Sequence, residues 1–314
     1  MEHSIEGNFP SGNENVEDIN ENGEEYGEDN KTNNEADNEI DKEMIDSIVK
    51  EYSSISPGEY QIIIDIETDI KNKLFEDFGK YISDETKTLI NKRRKLVVMG
   101  EGDFETFAQE WLPKSSEYNA DDLEITDTAG AYFSIGDLVV IKDLKAKAED
   151  IWKSNFREFI DKYPQMDEKF AITMIRYSLI ISTLTHEFVH SVQVPEWLKE
   201  KDIADKNIKK FIQFRALAEC GACYITNKLL KERYPKIILA RDGHETERKT
   251  FAYLLDKYGE NAYYVFFNTK PNNISDESFD NLKTDVLNEF NSKLLADIGI
   301  IKKGKEDVFD QLPD

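Results

Sequence analysis

Cysteine, histidine and long apolar runs are scarce in this 314-residue chain, and its basic residues are outnumbered by acidic ones. Its two cysteines, Cys220 and Cys223, cannot build the disulfide framework of a small secreted domain, and we expect thiols packed between helices. Arg176 interrupts the longest apolar stretch, so no membrane span is expected. No apolar segment follows the first residues, which predicts a cytoplasmic protein.

Basic residues are too few to balance the acids, and the formal net charge is −24. Such a charge argues against nucleic-acid phosphate or an anionic membrane as the partner. Residues 1–44 contain 15 Asp or Glu and two Lys, and they have too little apolar surface to order themselves. We therefore predict a disordered acidic tail over 1–44, which serves either solubility or the binding of a partner. The remaining chain carries a net charge of −11.

Only four histidines occur, yet two of them stand in an H-E-x-x-H motif, His186-Glu187-Phe188-Val189-His190. In a chain of this composition an H-(D/E)-x-x-H pattern arises by chance in roughly one case in a hundred. Apolar residues precede it at spacings of three and four, which predicts a helix with both histidines on one face. Two imidazoles four residues apart can bind one Zn²⁺, and the glutamate between them can act as general base on a water. The alternative is a pair of core histidines held by hydrogen bonds.

A third zinc ligand is predicted at Glu219, inside the run Phe214-Arg215-Ala216-Leu217-Ala218-Glu219-Cys220-Gly221-Ala222. A carboxylate buried among small and apolar residues is costly unless a cation or hydrogen bonds satisfy it. The 29 positions after His190 allow a helix end at Pro195, a polar connector and an antiparallel helix that returns to the histidines. The alternative is an Arg215–Glu219 ion pair on a solvated face.

The phrases His186-Glu187-x-x-His190-x-x-Gln193 and Glu219-Cys220-Gly221-Ala222-Cys223-Tyr224 resemble the gluzincin metallopeptidases. They are similar to H-E-x-x-H-x-x-Q and E-G-x-A-x-(Y/F) in little-characterised bacterial predicted zinc-dependent proteases, including some gliding-motility-type lipoproteins. The likeness covers about residues 128–260. This chain departs from the pattern in having Cys220 before the glycine, and Cys223 where some gluzincins carry an acid that orients a histidine ligand.

The predicted architecture is α+β and mostly helical: a zincin-like core over 127–314, preceded by a helical region over 45–126. Ser56, Pro57 and Glu59 favour a helix start, after which isoleucines, Leu74 and Phe78 line one face. We further predict a helix over 84–95, a short strand over 96–99 and a hairpin over 128–142 with a turn at 136–137. Later helices are expected over 144–162, 166–193, 208–232, 241–258 and 278–297.

Three functions follow, from different classes. The first is a zinc peptidase that acts on a peptide or protein, with Glu187 as general base. Zinc and a hydrogen-bond donor would stabilise the oxyanion, and the candidates for this donor are His244 and Tyr224, with Tyr253 as a competitor. In the peptidases that the chain resembles, an edge strand before the active-site helix binds extended substrate. The second is a non-catalytic zinc module that regulates or recruits partners. The third is a metal-free helical interaction protein.

Overall fold

The computed structural model describes residues 55–91, 95–111, 129–133, 138–162, 164–205, 207–234 and 245–297. The predicted tail over 1–44, the turn at 136–137 and His244 lie outside these residues. Helices dominate the described part, and one three-stranded sheet accompanies them. The α+β, mostly helical class is therefore confirmed. No helix of the described residues is both long enough and apolar enough to cross a membrane.

Helix α1 (Pro57–Phe78) begins at the predicted cap. The Ser56 hydroxyl accepts the Glu59 N–H, and the Glu59 carboxylate accepts the Ser56 N–H, which satisfies two otherwise unpaired donors. The predicted apolar face is confirmed, since Ile63, Ile70, Leu74 and Phe78 are all buried. A 3₁₀ turn (Gly79–Tyr81) and helix α2 (Asp84–Asn91) follow.

The sheet contains β1 (Lys95–Met99), β2 (Gly130–Phe133) and β3 (Leu138–Lys142) in the order β1-β3-β2. β2 and β3 form the predicted antiparallel hairpin, with Gly130 opposite Ile141. Lys95 pairs with Leu138 in a parallel ladder, so the predicted helix over 84–95 is too long at its C-terminal end. Between β1 and β2 lies helix α3 (Glu101–Trp111). Because β1 joins β3, the region predicted as N-terminal contributes a strand to the sheet of the predicted core.

Helix α4 (Lys145–Lys162) is followed by the longest helix, α5 (Glu168–Trp197), which carries the motif. We expected the motif helix to end near 193 with a stop at Pro195, and this is wrong, because α5 continues to Trp197. Proline at this position removes one N–H near the helix end, and tertiary contacts hold the last turn. Trp197 Nε1 donates to the carbonyl of Phe266 at 2.8 Å, and the Glu196 carboxylate accepts hydrogen bonds from Ser83 and Thr86.

The remaining helices build the largest apolar cluster against the second half of α5. They are α6 (Lys201–Ala204), α7 (Ile208–Arg233), α8 (Glu245–Tyr258), α9 (Asn261–Phe266) and α10 (Asp276–Asp297). The predicted end of α8 at Gly259 is confirmed by a φ of 59°, which glycine adopts without strain. The aromatic run over 263–267 packs in the core, as predicted.

The first half of α5 packs on the sheet and is tied to it by Arg176. Ile180 and Leu184 share a buried cluster with Val139 and Ile141 of β3. The Arg176 guanidinium contacts Asp143 at 2.6 Å, just after β3, and Glu59 of α1 at 3.0 Å. The sheet and α7 thus lie against successive parts of one helix, and His186 and Glu187 fall where the two parts meet.

Candidate metal centre

His186, His190 and Glu219 direct one ligand atom each toward a common point, and these atoms lie within 4.8 Å of one another. The two Nε2 atoms are 2.9 Å apart. Glu219 Oε2 is 3.3 Å from His186 Nε2, and Oε1 is 3.4 Å from His190 Nε2. Helices α5 and α7 therefore bring together the three residues that the sequence predicts as ligands.

The spacing of these atoms agrees with a tetrahedral zinc site. Zinc–nitrogen and zinc–oxygen bonds of about 2.0–2.2 Å at tetrahedral angles place ligand atoms about 3.3–3.5 Å apart. Both contacts of Glu219 fall near this value, and the separation of the two imidazole nitrogens is somewhat shorter. Two imidazoles and one carboxylate are also the donor set of many catalytic zinc sites. The donor types and their spacing thus fit the metal.

One side of the group is open to solvent. The side chains of His186 and His190 are 20% and 9% exposed, whereas that of Glu219 is 51% exposed. We expected Glu219 to be buried, and this is wrong, because half of its side chain is exposed to solvent. Its neighbours Ala218 and Cys220 are buried. Burial in the surrounding protein opposes its ionisation, yet the adjacent His190 and His186 lower the pKa of Glu219 well below 4.5. Glu219 therefore lies in a recess, in contact both with solvent and with the surrounding protein. The Glu219 carboxylate is ionised at neutral pH.

Glu187 lies on the buried side of the motif, facing the sheet. It is 7% exposed, and burial raises the pKa of its carboxyl to about 7. The charge of Glu219 adds to this effect, whereas His186 and a hydrogen bond from the backbone N–H of Tyr132 oppose it. A carboxyl whose pKa lies near the working pH is suited to accept and return a proton.

Strand β2 passes very close to Glu187. A Cβ added at Gly130 would lie 2.6 Å from Thr183 Cγ2 and 3.3 Å from Glu187 Cγ, so only glycine fits against the helix there. Neither Gly130 nor the Tyr132 N–H was predicted from the sequence as part of the site. A backbone hydrogen bond leaves no mark on the sequence, and a glycine at the start of a strand has many explanations.

The outer edge of β2 is free of strand partners within the described sheet. The Lys142 N–H donates to the Ala129 carbonyl, so the ladder with β3 next uses the backbone of Ala131. Gly130 and Tyr132 consequently direct their N–H and C=O groups away from β3. One of these groups, the Tyr132 N–H, is the one that reaches Glu187.

The two tyrosines considered as oxyanion donors are not part of this group. The Tyr224 ring packs on Phe251 with centroids 5.4 Å apart, and its hydroxyl hydrogen-bonds with Tyr263. Tyr253 hydrogen-bonds to Glu289 of α10. The oxyanion role of Tyr224, like that of His244 outside the described residues, stays a prediction.

Cys220 and Cys223 are buried thiols, as predicted, and the metal-binding group found among the described residues includes neither.

A scan of protein-family models, a search of curated proteins and a search of solved structures each found no match. The resemblance to the gluzincins therefore stays a prediction, based on the two motifs.

Proposed function

We propose that this protein is a zinc-dependent peptidase. The observation that supports this most is the convergence of His186, His190 and Glu219 on one point, with Glu187 beside them and solvent on one side. A catalytic zinc site uses three protein ligands and leaves a position for water, whereas structural sites usually close with four. The regulatory zinc module is therefore the weaker alternative, since the group contains three ligands among the described residues.

Each residue has a distinct task in this proposal. Zinc held by the three ligands would lower the pKa of its water to near neutrality and polarise the substrate carbonyl. Glu187 removes a proton from the attacking water and delivers it to the leaving amine nitrogen. The Tyr132 N–H holds the Glu187 carboxylate in place, so the general base depends on the strand as well as on its own helix.

The edge of β2 is the proposed site for the substrate backbone. The outward carbonyls of Gly130 and Tyr132 and the outward N–H of Gly130 match the groups of an extended peptide. A peptide in this position lies along the strand that contacts the general base. The substrate class is therefore an extended peptide or an unfolded protein segment.

The first test measures zinc. Full-length protein should bind about one equivalent of zinc, and His186→Ala and His190→Ala should remove it, because two protein ligands rarely hold zinc tightly. Glu219→Gln should weaken binding, since an amide is an uncharged and poorer ligand. Elemental analysis after dialysis measures all four proteins. Retention of zinc by both histidine variants rules out the site.

The second test separates metal binding from catalysis. Glu187→Gln preserves shape and should keep zinc, but it should lower peptide cleavage by roughly 10²–10⁴-fold, toward the upper end because the same group acts as base and acid. Glu168→Gln, at an exposed position of the same helix, is the matched control and should cleave like wild type. A quenched-fluorescence peptide library provides the assay. Cleavage by Glu187→Gln within about threefold of wild type would contradict the general-base role.

A further inference from the structure

Gln193 is a fully buried amide that has no hydrogen-bond partner among the described residues. It lies in α5 with 0% exposure, and neither Oε1 nor Nε2 has a hydrogen-bond partner within the described structure. Leaving a buried polar atom unpaired destabilises the folded state, and Gln193 leaves two such atoms. Such a residue requires an explanation, because a methionine of similar volume would avoid the cost.

Helix geometry places this amide next to a metal ligand. Gln193 is three residues after His190 and seven after His186, so it lies on the face that carries both histidines. Long side chains in a helix point back over the preceding turn, which for Gln193 is the turn of Val189 and His190. Helix spacing therefore places Gln193 on the side of α5 that carries His190.

The Nδ1 nitrogen of that imidazole takes no part in the polar contacts of His190 with the described residues. The polar contacts of His190 in the described residues, to His186 and to Glu219, are both made by Nε2. If Nε2 faces the metal, Nδ1 carries the proton and needs an acceptor, as the second nitrogen of a zinc-bound histidine generally does. The chain has Cys223 rather than an acid four residues after Glu219, and that buried thiol is a poor acceptor.

We propose that Gln193 is the positioning residue of the metal centre, its Oε1 accepting a hydrogen bond from Nδ1–H of His190, directly or through one buried water. A 180° rotation of the amide exchanges its oxygen and nitrogen, so either orientation can supply the acceptor. The bond selects the tautomer whose Nε2 is free to bind zinc and restricts rotation of the ring. This inference depends on the zinc site of the proposed function.

Zinc affinity, measured by competition with a chromogenic chelator, tests the inference without an activity assay. Gln193→Met removes the acceptor at similar volume and should weaken zinc binding by about 10–100-fold, the usual effect of losing such a partner. The melting temperature of the metal-free variant should equal or exceed that of wild type, because two unpaired polar atoms are gone. The absorption spectrum of the Co²⁺ form should also change, since it reports ligand geometry.

A rescue and a control complete the test. Gln193→Glu restores an acceptor and should bind zinc at least as tightly as wild type. Thr226→Val, on α7, removes a different buried polar group, a hydroxyl without a hydrogen-bond partner in the described structure, and should leave zinc affinity unchanged.

Zinc affinity of Gln193→Met within about threefold of wild type overturns the inference, and so does equal weakness of the Met and Glu variants. If wild type itself binds no zinc, the proposed zinc peptidase function fails as well. If wild type binds zinc and Gln193→Met binds it equally well, only the role of Gln193 fails.

Discussion

Gly221→Ala tests how the core holds the helix that carries Glu219. A Cβ at Gly221 would lie 2.2 Å from Cε2 and 2.3 Å from Cδ2 of Phe266, well inside any normal contact between carbon atoms. The ring cannot rotate away, since Phe266 is fully buried between Phe251, at a centroid distance of 5.4 Å, and Phe267, at 4.8 Å. Either α7 or the aromatic cluster must move by about 1 Å to reach an ordinary contact distance of about 3.5 Å.

The expected cost follows from two opposing effects. Overpacking a core costs about 1–3 kcal/mol, and an overlap this severe belongs at the upper end. Alanine in place of glycine in a helix returns about 1 kcal/mol. The net destabilisation should be about 2 kcal/mol, which for a fold of this size lowers the melting temperature by about 4–8 °C.

The same substitution should also weaken zinc binding at the candidate metal centre. Gly221 is two residues after Glu219, and the backbone carbonyl of Phe266 binds Trp197 at the end of α5. Strain between α7 and α9 therefore acts on both helices that supply ligands, and zinc binding should weaken together with stability.

Thermal denaturation and chelator competition measure the two effects. Gly79→Ala is the matched control, because a Cβ there meets nothing within 4 Å and φ is −57°. It should be neutral or stabilise the protein by up to about 1 kcal/mol. Equal stability of Gly221→Ala and Gly79→Ala refutes the packing argument.

Two further predictions concern a buried carboxylate and the tail. Burial raises the pKa of Glu196, but hydrogen bonds from Ser83, Thr86 and Lys199 outweigh it and hold the pKa below 4.5. The ionised form thus stabilises the fold above pH 4.5, and this contribution is lost as the pH falls through the lower folded-state pKa. Glu196→Gln should therefore be less stable than wild type by about 1.5–3 kcal/mol at pH 7. The difference in stability should shrink in acid, and urea titrations at several pH values can measure it. Deletion of residues 1–44 should leave the melting temperature and zinc content unchanged, because this segment has no hydrophobic pattern to contribute, and a large loss of either contradicts the prediction.

Local interactions account for what the sequence determined by itself. The capping box at Ser56, the apolar face of α1, the β2–β3 hairpin and the end of α8 at Gly259 all depend on residues a few positions apart. The placement of His186 and His190 on one face likewise requires only a helix, and the apolar spacing before them predicts one. The two histidines of the candidate site were therefore predictable from local sequence alone.

Tertiary structure decided how those residues meet and what surrounds them. The sequence suggested that Glu219 returns to the histidines but placed it in the core, whereas the packing of α7 on α5 leaves it in a recess half open to solvent. Pro195 predicted a helix end, but Trp197 and Glu196 are anchored by partners far away in the chain. The burial of Glu187 under β2 and the unpaired amide of Gln193 could not be predicted from the sequence either. The environment of a side chain depends on distant elements that no local pattern encodes.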